Sequence, residues 1–256
     1  LSGRPGLYQP QLLSALAPWP ERRRPGLYDL TPLLRSLREL VVAPGLSMAN
    51  TRLTVHATDL ATGEPVRFDS DARQLDPVHV RASTSLMPDF DPVEVEGRLL
   101  CDGGFSENLP LRSVLGTKPE RPLLCIAADL MAAERRPRWS LDGVAERQLD
   151  LHFASQTRAL IEAVTAEQAL AAARATGPVP PVVLAHLIYR GREPAGSQKA
   201  YDYSPETVDA RWSAGLEDGR AMLELLAAAP APRGTGLVIH RLPITGRGGE
   251  GAALAA

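Results

Sequence analysis

Two apolar runs of strand length bracket a long helical stretch, and this arrangement limits the architecture more than any other feature of the chain. Pro122 to Ala128 is almost continuously apolar, and so is Val182 to Tyr189. Such runs are expected of strands covered on both faces of a sheet. Between them, about Asp142 to Ala175 reads as helix and stops at Gly177-Pro178. Buried strands alternating with helices predict an α/β fold with helices on both sheet faces. No apolar run approaches the roughly 18 residues of a membrane span. No export signal is visible, so cytoplasm is the default expectation, with a signal on a missing N-terminus as the alternative.

The remaining elements follow from caps and periodicity. Thr31 suits the cap of a helix over Pro32–Val42, with Leu33, Leu34, Leu37, Leu40 and Val41 on one face. Arg52 to Thr58 alternates, with Leu53, Val55 and Ala57 on one side and Thr54, His56 and Thr58 on the other. A turn at Asp59–Gly63 leads to a second strand, Pro65–Asp69. Asp76 caps a short helix from Pro77 to about Ser85. Val93 to Cys101 is extended, with a turn near Glu96-Gly97. Ser204 opens the last strong helix, for which Val208, Trp212, Leu216, Leu223 and Leu226 are the expected buried face. Leu237–His240 is a late strand. Arg4-Pro5-Gly6-Leu7-Tyr8 recurs as Arg24-Pro25-Gly26-Leu27-Tyr28; two copies are too few for a solenoid and read as similar loops.

Composition excludes several function classes. The 256 residues are 44% apolar and 23% charged, which is ordinary globular usage. A net charge of −2 gives no electrostatic reason to expect nucleic-acid binding. Two cysteines, Cys101 and Cys125, are too few for a disulfide scaffold or a Cys-based zinc site. His56, His79, His152, His186 and His240 lack H-E-x-x-H and H-x-H spacing, and Asp89, Asp91, Glu94 and Glu96 lack EF-hand spacing. No metal or cofactor is expected. A Ser–His–Asp triad stays open, because its members meet in space rather than in sequence; His186, in a buried-type strand, reads as a structural hydrogen-bonding residue. Cys125 reads as core.

The sharpest chemical feature is Asp102-Gly103-Gly104. An Asp at a strand end, followed by glycines that allow positive φ or a close backbone approach, can aim its carboxylate into a crevice. There it can take a proton from a nearby Ser hydroxyl. Taken alone, the tripeptide reads equally as a tight turn. Cys101, its neighbour, should face the opposite side of the strand and pack.

The surroundings add specificity. Ala82-Ser83 precedes Pro88, Phe90 and Pro92-Val93; Gly97 precedes Asp102-Gly103-Gly104, and Asn108-Leu109-Pro110 follows. This resembles the catalytic-aspartate segment of patatin-like phospholipases, with one extra residue between Ser83 and Pro88. Thr58–Gly63 with Phe68 is similar to the family's preceding strand pair. His186–Arg190, Lys199–Ser204, Trp212 and Gly215 resemble the C-terminal extension of a bacterial subgroup. The resemblance covers about Tyr28 to Leu226. It implies a patatin-like α/β domain with C-terminal extension over 29–226, while composition marks a Pro-rich loop region over 1–28 and an Ala/Gly/Pro-rich, largely disordered tail over 227–256. It also implies a three-layer α/β/α sandwich, incomplete at its N-terminus, and a Ser–Asp dyad that hydrolyses acyl esters. Asp102 matches the catalytic aspartate, with Gly103 and Gly104 the glycines that follow it. Tyr189, Arg190, Tyr201 and Tyr203 would form a lid or recognition surface, with aromatic packing as the alternative reading.

The departure from the family lies at the nucleophile. No G-x-S-x-G occurs; Gly45-Leu46-Ser47-Met48-Ala49 lacks the second Gly and follows a helix, so Ser47 reads as a loop serine. The Gly-rich oxyanion loop is absent too. The expectation is that Leu1 lies just downstream of the elbow, which would leave a sheet edge open. A missing N-terminal segment would then supply serine and oxyanion hole, and this chain alone would be inactive in dyad chemistry. The implied partners are an acyl-ester or lipid substrate and, transiently, a membrane surface. The alternative is a non-catalytic remnant or pseudoenzyme that binds lipid or a protein partner.

Overall fold

The computed structural model describes residues 4, 6–11, 26–41, 51–116, 120–134, 139–190, 202–230 and 236–243. Ser47, Tyr201, Lys199 and most of the C-terminal tail lie outside the described residues. The chain divides into two compact units: Leu1–Thr117 with Leu149–Val164, and Lys118–Gln148 with Thr165–Ala256. The α/β class expected from the sequence is what the structure has. None of its described helices is long and apolar enough to cross a membrane.

In the first unit, β1 (Gln9–Pro10) pairs antiparallel with β2 (Tyr28–Asp29). The two copies of the repeated pentapeptide thereby meet. Tyr8 and Tyr28 stand edge to face at 5.0 Å, and both rings lie 5.9 Å from Phe90. Helix α1 (Thr31–Val41) starts where expected, but Asp29 rather than Thr31 caps it: its Oδ1 accepts from Thr31 N–H at 2.8 Å and from the Thr31 hydroxyl at 2.7 Å.

The unit's main sheet is antiparallel. It contains β3 (Thr54–Asp59), β4 (Pro65–Asp69), β5 (Val93–Val95) and β6 (Arg98–Asp102), in the order β4-β3-β6-β5. Helix α2 (Pro77–Ser83) sits between β4 and β5 in sequence. Its expected cap is present: Asp76 Oδ1 accepts from Val78 N–H at 2.9 Å, while His79 Nδ1 accepts from Asp76 N–H at 2.8 Å. The β5–β6 turn has positive φ at both Glu96 (53°) and Gly97 (76°), the left-handed pair that suits a two-residue hairpin. Val55, Ala57, Phe68, Leu75, Ala82, Val93, Val95 and Leu100 close a single core. Two short helices follow, α3 (Gly104–Glu107) and α4 (Arg112–Leu115).

The second unit holds a parallel sheet of β7 (Leu123–Asp129), β8 (Val182–Ile188) and β9 (Leu237–Arg241), in that order. Helix α5 (Leu141–Ala173) runs between β7 and β8; Leu149–Val164 of it belongs to the first unit and its two ends to the second. Ser140 caps it through Gly143 N–H at 3.0 Å. Helix α6 (Pro205–Ala228) carries the expected Ser204 cap.

Two expectations for this unit need correction. The run over β7 is not covered on both faces: Cys125, Ala127 and Asp129 are buried, but Leu124 is 51% exposed and Ile126 62%. Nor is the apolar stripe of α6 its buried face. Thr207, Ala214 and Met222 turn inward, whereas Trp212 is 76% exposed and Leu223 63%. Met222 is the one large side chain among these buried residues, while Trp212, Leu216 and Leu223 stay outside.

Candidate active site

Asp102 ends β6, an inner strand, opposite Ala57 of β3. Its backbone N–H donates to Ser85 O at 3.0 Å, and Ser85 is itself fully buried. The side chain is half-buried, and its Oδ1 accepts the Gly104 N–H at 2.7 Å. Burial disfavours the charged form and pushes this carboxyl up to about 6, against the pull of the Gly104 N–H. Such a carboxylate is ionised at neutral pH, yet far more basic than an exposed aspartate. That is the property a proton acceptor needs.

The glycines act by space and not by handedness. Gly103 has φ −63° and ψ −24°, and neither Gly103 nor Gly104 has positive φ, which corrects that part of the expectation. A Cβ on Gly103 would stand 2.5 Å from His56 O; one on Gly104 would stand 3.0 Å from both Asp102 Oδ1 and Phe153 Cε1. The chain therefore turns directly into α3, pressed against β3, with no room for a side chain at Gly103 and a tight fit at Gly104.

Polar groups on one side of β3 hold this turn. The Thr58 hydroxyl donates to Asp102 O at 2.8 Å and shares a 2.9 Å hydrogen bond with Ser106 Oγ. Asn108 Nδ2 donates to Thr157 Oγ1 of α5 at 3.3 Å. The other motif residues build the scaffold: Ala82 and Val93 lie in the core, and Phe90 in the aromatic cluster. Cys101 is buried and its thiol faces Thr58 O at 3.6 Å. Burial, then Asp102 and Asp59, push that thiol up to about 11, so it packs and stays protonated.

A second polar cluster, which the sequence does not point to, lies beside the turn. Ser113 Oγ is 2.8 Å from His56 Nε2, and His56 Nδ1 is 3.7 Å from Glu107 Oε2. Burial, then Arg67, hold His56 below the usual imidazole range. Burial raises the Glu107 carboxyl, opposed by Arg112. Ser113 and His56 are 57 positions apart, so spacing could not pair them. The one usable signal is the alternation of β3, which puts His56 on the same side as Thr58.

In the second unit, His186 is the structural residue expected. Arg241 Nε donates to His186 Nδ1 at 3.2 Å, so the ring proton sits on Nε2 and is donated to Asp129 Oδ2 at 3.3 Å. A cavity of about 420 Å³ opens at the C-terminal ends of β7 and β8, where ligands of parallel sheets usually bind. Met131, Leu187, Tyr189, Tyr203 and Arg211 are among its walls. Arg190 donates to Leu242 O at 3.5 Å. Among the described residues, no group of three or more His, Cys, Asp or Glu is placed to hold a metal ion.

The chain matches two family profiles: one described as patatin-like phospholipase, over residues 11–115, and one described as patatin phospholipase, over residues 141–230. It is also 32% identical over 112 residues to uncharacterized NTE family proteins of Mycobacterium bovis and of two Mycobacterium tuberculosis strains. That match covers 44% of this chain and 29% of each relative, so the matched segment spans under a third of their length.

Proposed function

We propose, from the chain's membership of the patatin-like phospholipase family, that Asp102 is the general base of a Ser–Asp dyad that hydrolyses lipid acyl esters. The observation that carries this reading is the Asp102 carboxylate itself: half-buried, raised to about 6, gripped by the Gly104 N–H, and flanked by glycines that a side chain would jam. The serine and the oxyanion donors come from a further segment outside these 256 residues, which hold no G-x-S-x-G.

In that assembly the serine Oγ attacks the ester carbonyl and its proton passes to Asp102. Backbone N–H groups steady the oxyanion. The C–O bond breaks, the departing alcohol takes the proton from Asp102, and the acyl-serine remains. Water, deprotonated by Asp102, then releases the acid. The dyad is silent in this chain alone. With the serine-bearing segment restored, ester hydrolysis appears and Asp102→Asn lowers kcat by about 10⁴-fold, the scale of losing a dyad or triad member. Unchanged turnover in that variant defeats the reading. The substrate class brings the protein transiently to a membrane surface.

The cavity of the second unit favours one further reading, non-catalytic lipid binding. On that reading the chain binds a fluorescent fatty acid, and Gly215→Leu, at the cavity wall, abolishes binding. Equal binding by both proteins excludes the cavity.

A further inference from the structure

The geometry points to a second serine site within the first unit, independent of the Asp102 dyad: Ser113 as nucleophile, His56 as its base and Glu107 as the carboxylate behind the imidazole, acting on small activated acyl esters. The three residues come from separate elements, β3, α3 and α4, yet Ser113 and Glu107 each approach a different ring nitrogen of His56. Ser113 Oγ sits 2.8 Å from His56 Nε2, within the reach a general base requires. At the other ring nitrogen, Nδ1 is buried and makes no hydrogen bond among the described residues; Glu107 Oε2 lies 3.7 Å from it. Such pairs are commonly long in free enzymes and tighten once the imidazole charges. The His56 and Glu107 side chains are only 10% and 15% exposed, whereas Ser113 is half-buried and borders exposed Val114. Base and carboxylate are thus shielded while the hydroxyl is within reach of solvent. Burial and Arg67 of β4, paired with His56 across the sheet, both disfavour the imidazolium at rest. The base is therefore neutral when the hydroxyl needs it.

The step balances without a co-reactant. Ser113 Oγ bonds to the carbonyl carbon and its proton moves to His56 Nε2. Glu107 faces the imidazolium so formed. The ester C–O bond breaks and the leaving oxygen takes that proton. A water deprotonated by His56 then hydrolyses the acyl-Ser113, releasing the acid and restoring the hydroxyl.

The test uses the 256-residue chain as it stands, a fluorophosphonate probe and peptide mapping by mass spectrometry. The expected result is label on Ser113, absent in Ser113→Ala. Labelling falls by about 10²-fold in His56→Gln, the lower range for loss of a general base. A smaller, roughly tenfold loss is expected in Glu107→Gln, read alongside circular dichroism to confirm folding. No label on Ser113 in the wild-type chain overturns the proposal, whatever the variants do; so does equal labelling in a folded His56→Gln. The Asp102 reading is judged separately, on an elbow serine in an extended chain, so either can fail alone.

Discussion

The two units solve the same problem of covering a sheet in different ways. In the first, strand alternation, α2 and the middle of α5 close the core: Leu100, Ala57, Ala82 and Val164 are fully buried, and Asp76 and Gly97 satisfy local rules, with Glu96 held at a positive φ that favours Gly or Asn. In the second, a parallel sheet leaves Leu124 and Ile126 in water, and α6 presents Trp212 and Leu223 outward. Apolar groups exposed in a row mark a surface made to be covered. The self-sufficient unit carries the polar chemistry around Asp102, and the other carries apolar surface and a cavity.

The sharpest way to break this contrast is a pair of truncations. Leu100→Ala, in the closed core, should cost about 2–5 kcal/mol in chemical denaturation. Ile126→Ala, on the open face, should cost under about 0.5 kcal/mol. Comparable losses would erase the distinction between the units.

Asp102→Asn should do the opposite of a core mutation and stabilise the fold. The folded carboxyl titrates at about 6 and the unfolded one near 3.8. Between these values the folded state binds more protons, so stability falls as pH rises through that window. The penalty is complete above about pH 6 and absent below about pH 4. Removing it should raise stability at pH 8 by up to about 3 kcal/mol and leave pH 3.5 unchanged, as thermal melts at the two pH values would reveal.

Gly103→Ala should destabilise by about 1–3 kcal/mol, because its Cβ would stand 2.5 Å from the His56 carbonyl. The smallest change in folding energy, within about 0.5 kcal/mol, is expected for Trp212→Lys combined with Ile126→Lys. That variant should instead reduce self-association, read by light scattering against concentration.

The same contrast shows what a sequence can tell. In the first unit, local chemistry and fold agree: Asp76 announces α2, Glu96-Gly97 the hairpin, and the alternation of Arg52 to Thr58 the strand β3. Asp102 stands out in the sequence because its neighbours resemble a known segment. The second unit misleads because periodicity finds an apolar stripe but cannot say whether anything covers it. On α6 the stripe of Val208, Trp212, Leu216 and Leu223 is more conspicuous than Thr207, Ala214 and Met222, yet the smaller set faces the sheet. The Ser113–His56–Glu107 cluster stayed hidden for another reason: it is made by tertiary contact between three elements, and no spacing encodes that.

The repeated pentapeptide carries one more consequence. Its copies share five letters, but their described residues do not share a backbone path. The first curls on itself, Arg4 O accepting from both Leu7 and Tyr8 N–H at 3.0 Å, with Gly6 at φ 81°. In the second, Tyr28 N–H reaches Asp89 O at 2.8 Å, and a Cβ on Gly26 would stand 2.6 Å from Asp91 N. The two tyrosines are therefore not interchangeable: Tyr8 N–H is used by its own turn, whereas Tyr28 N–H ties the chain to the Asp89 carbonyl, next to Phe90.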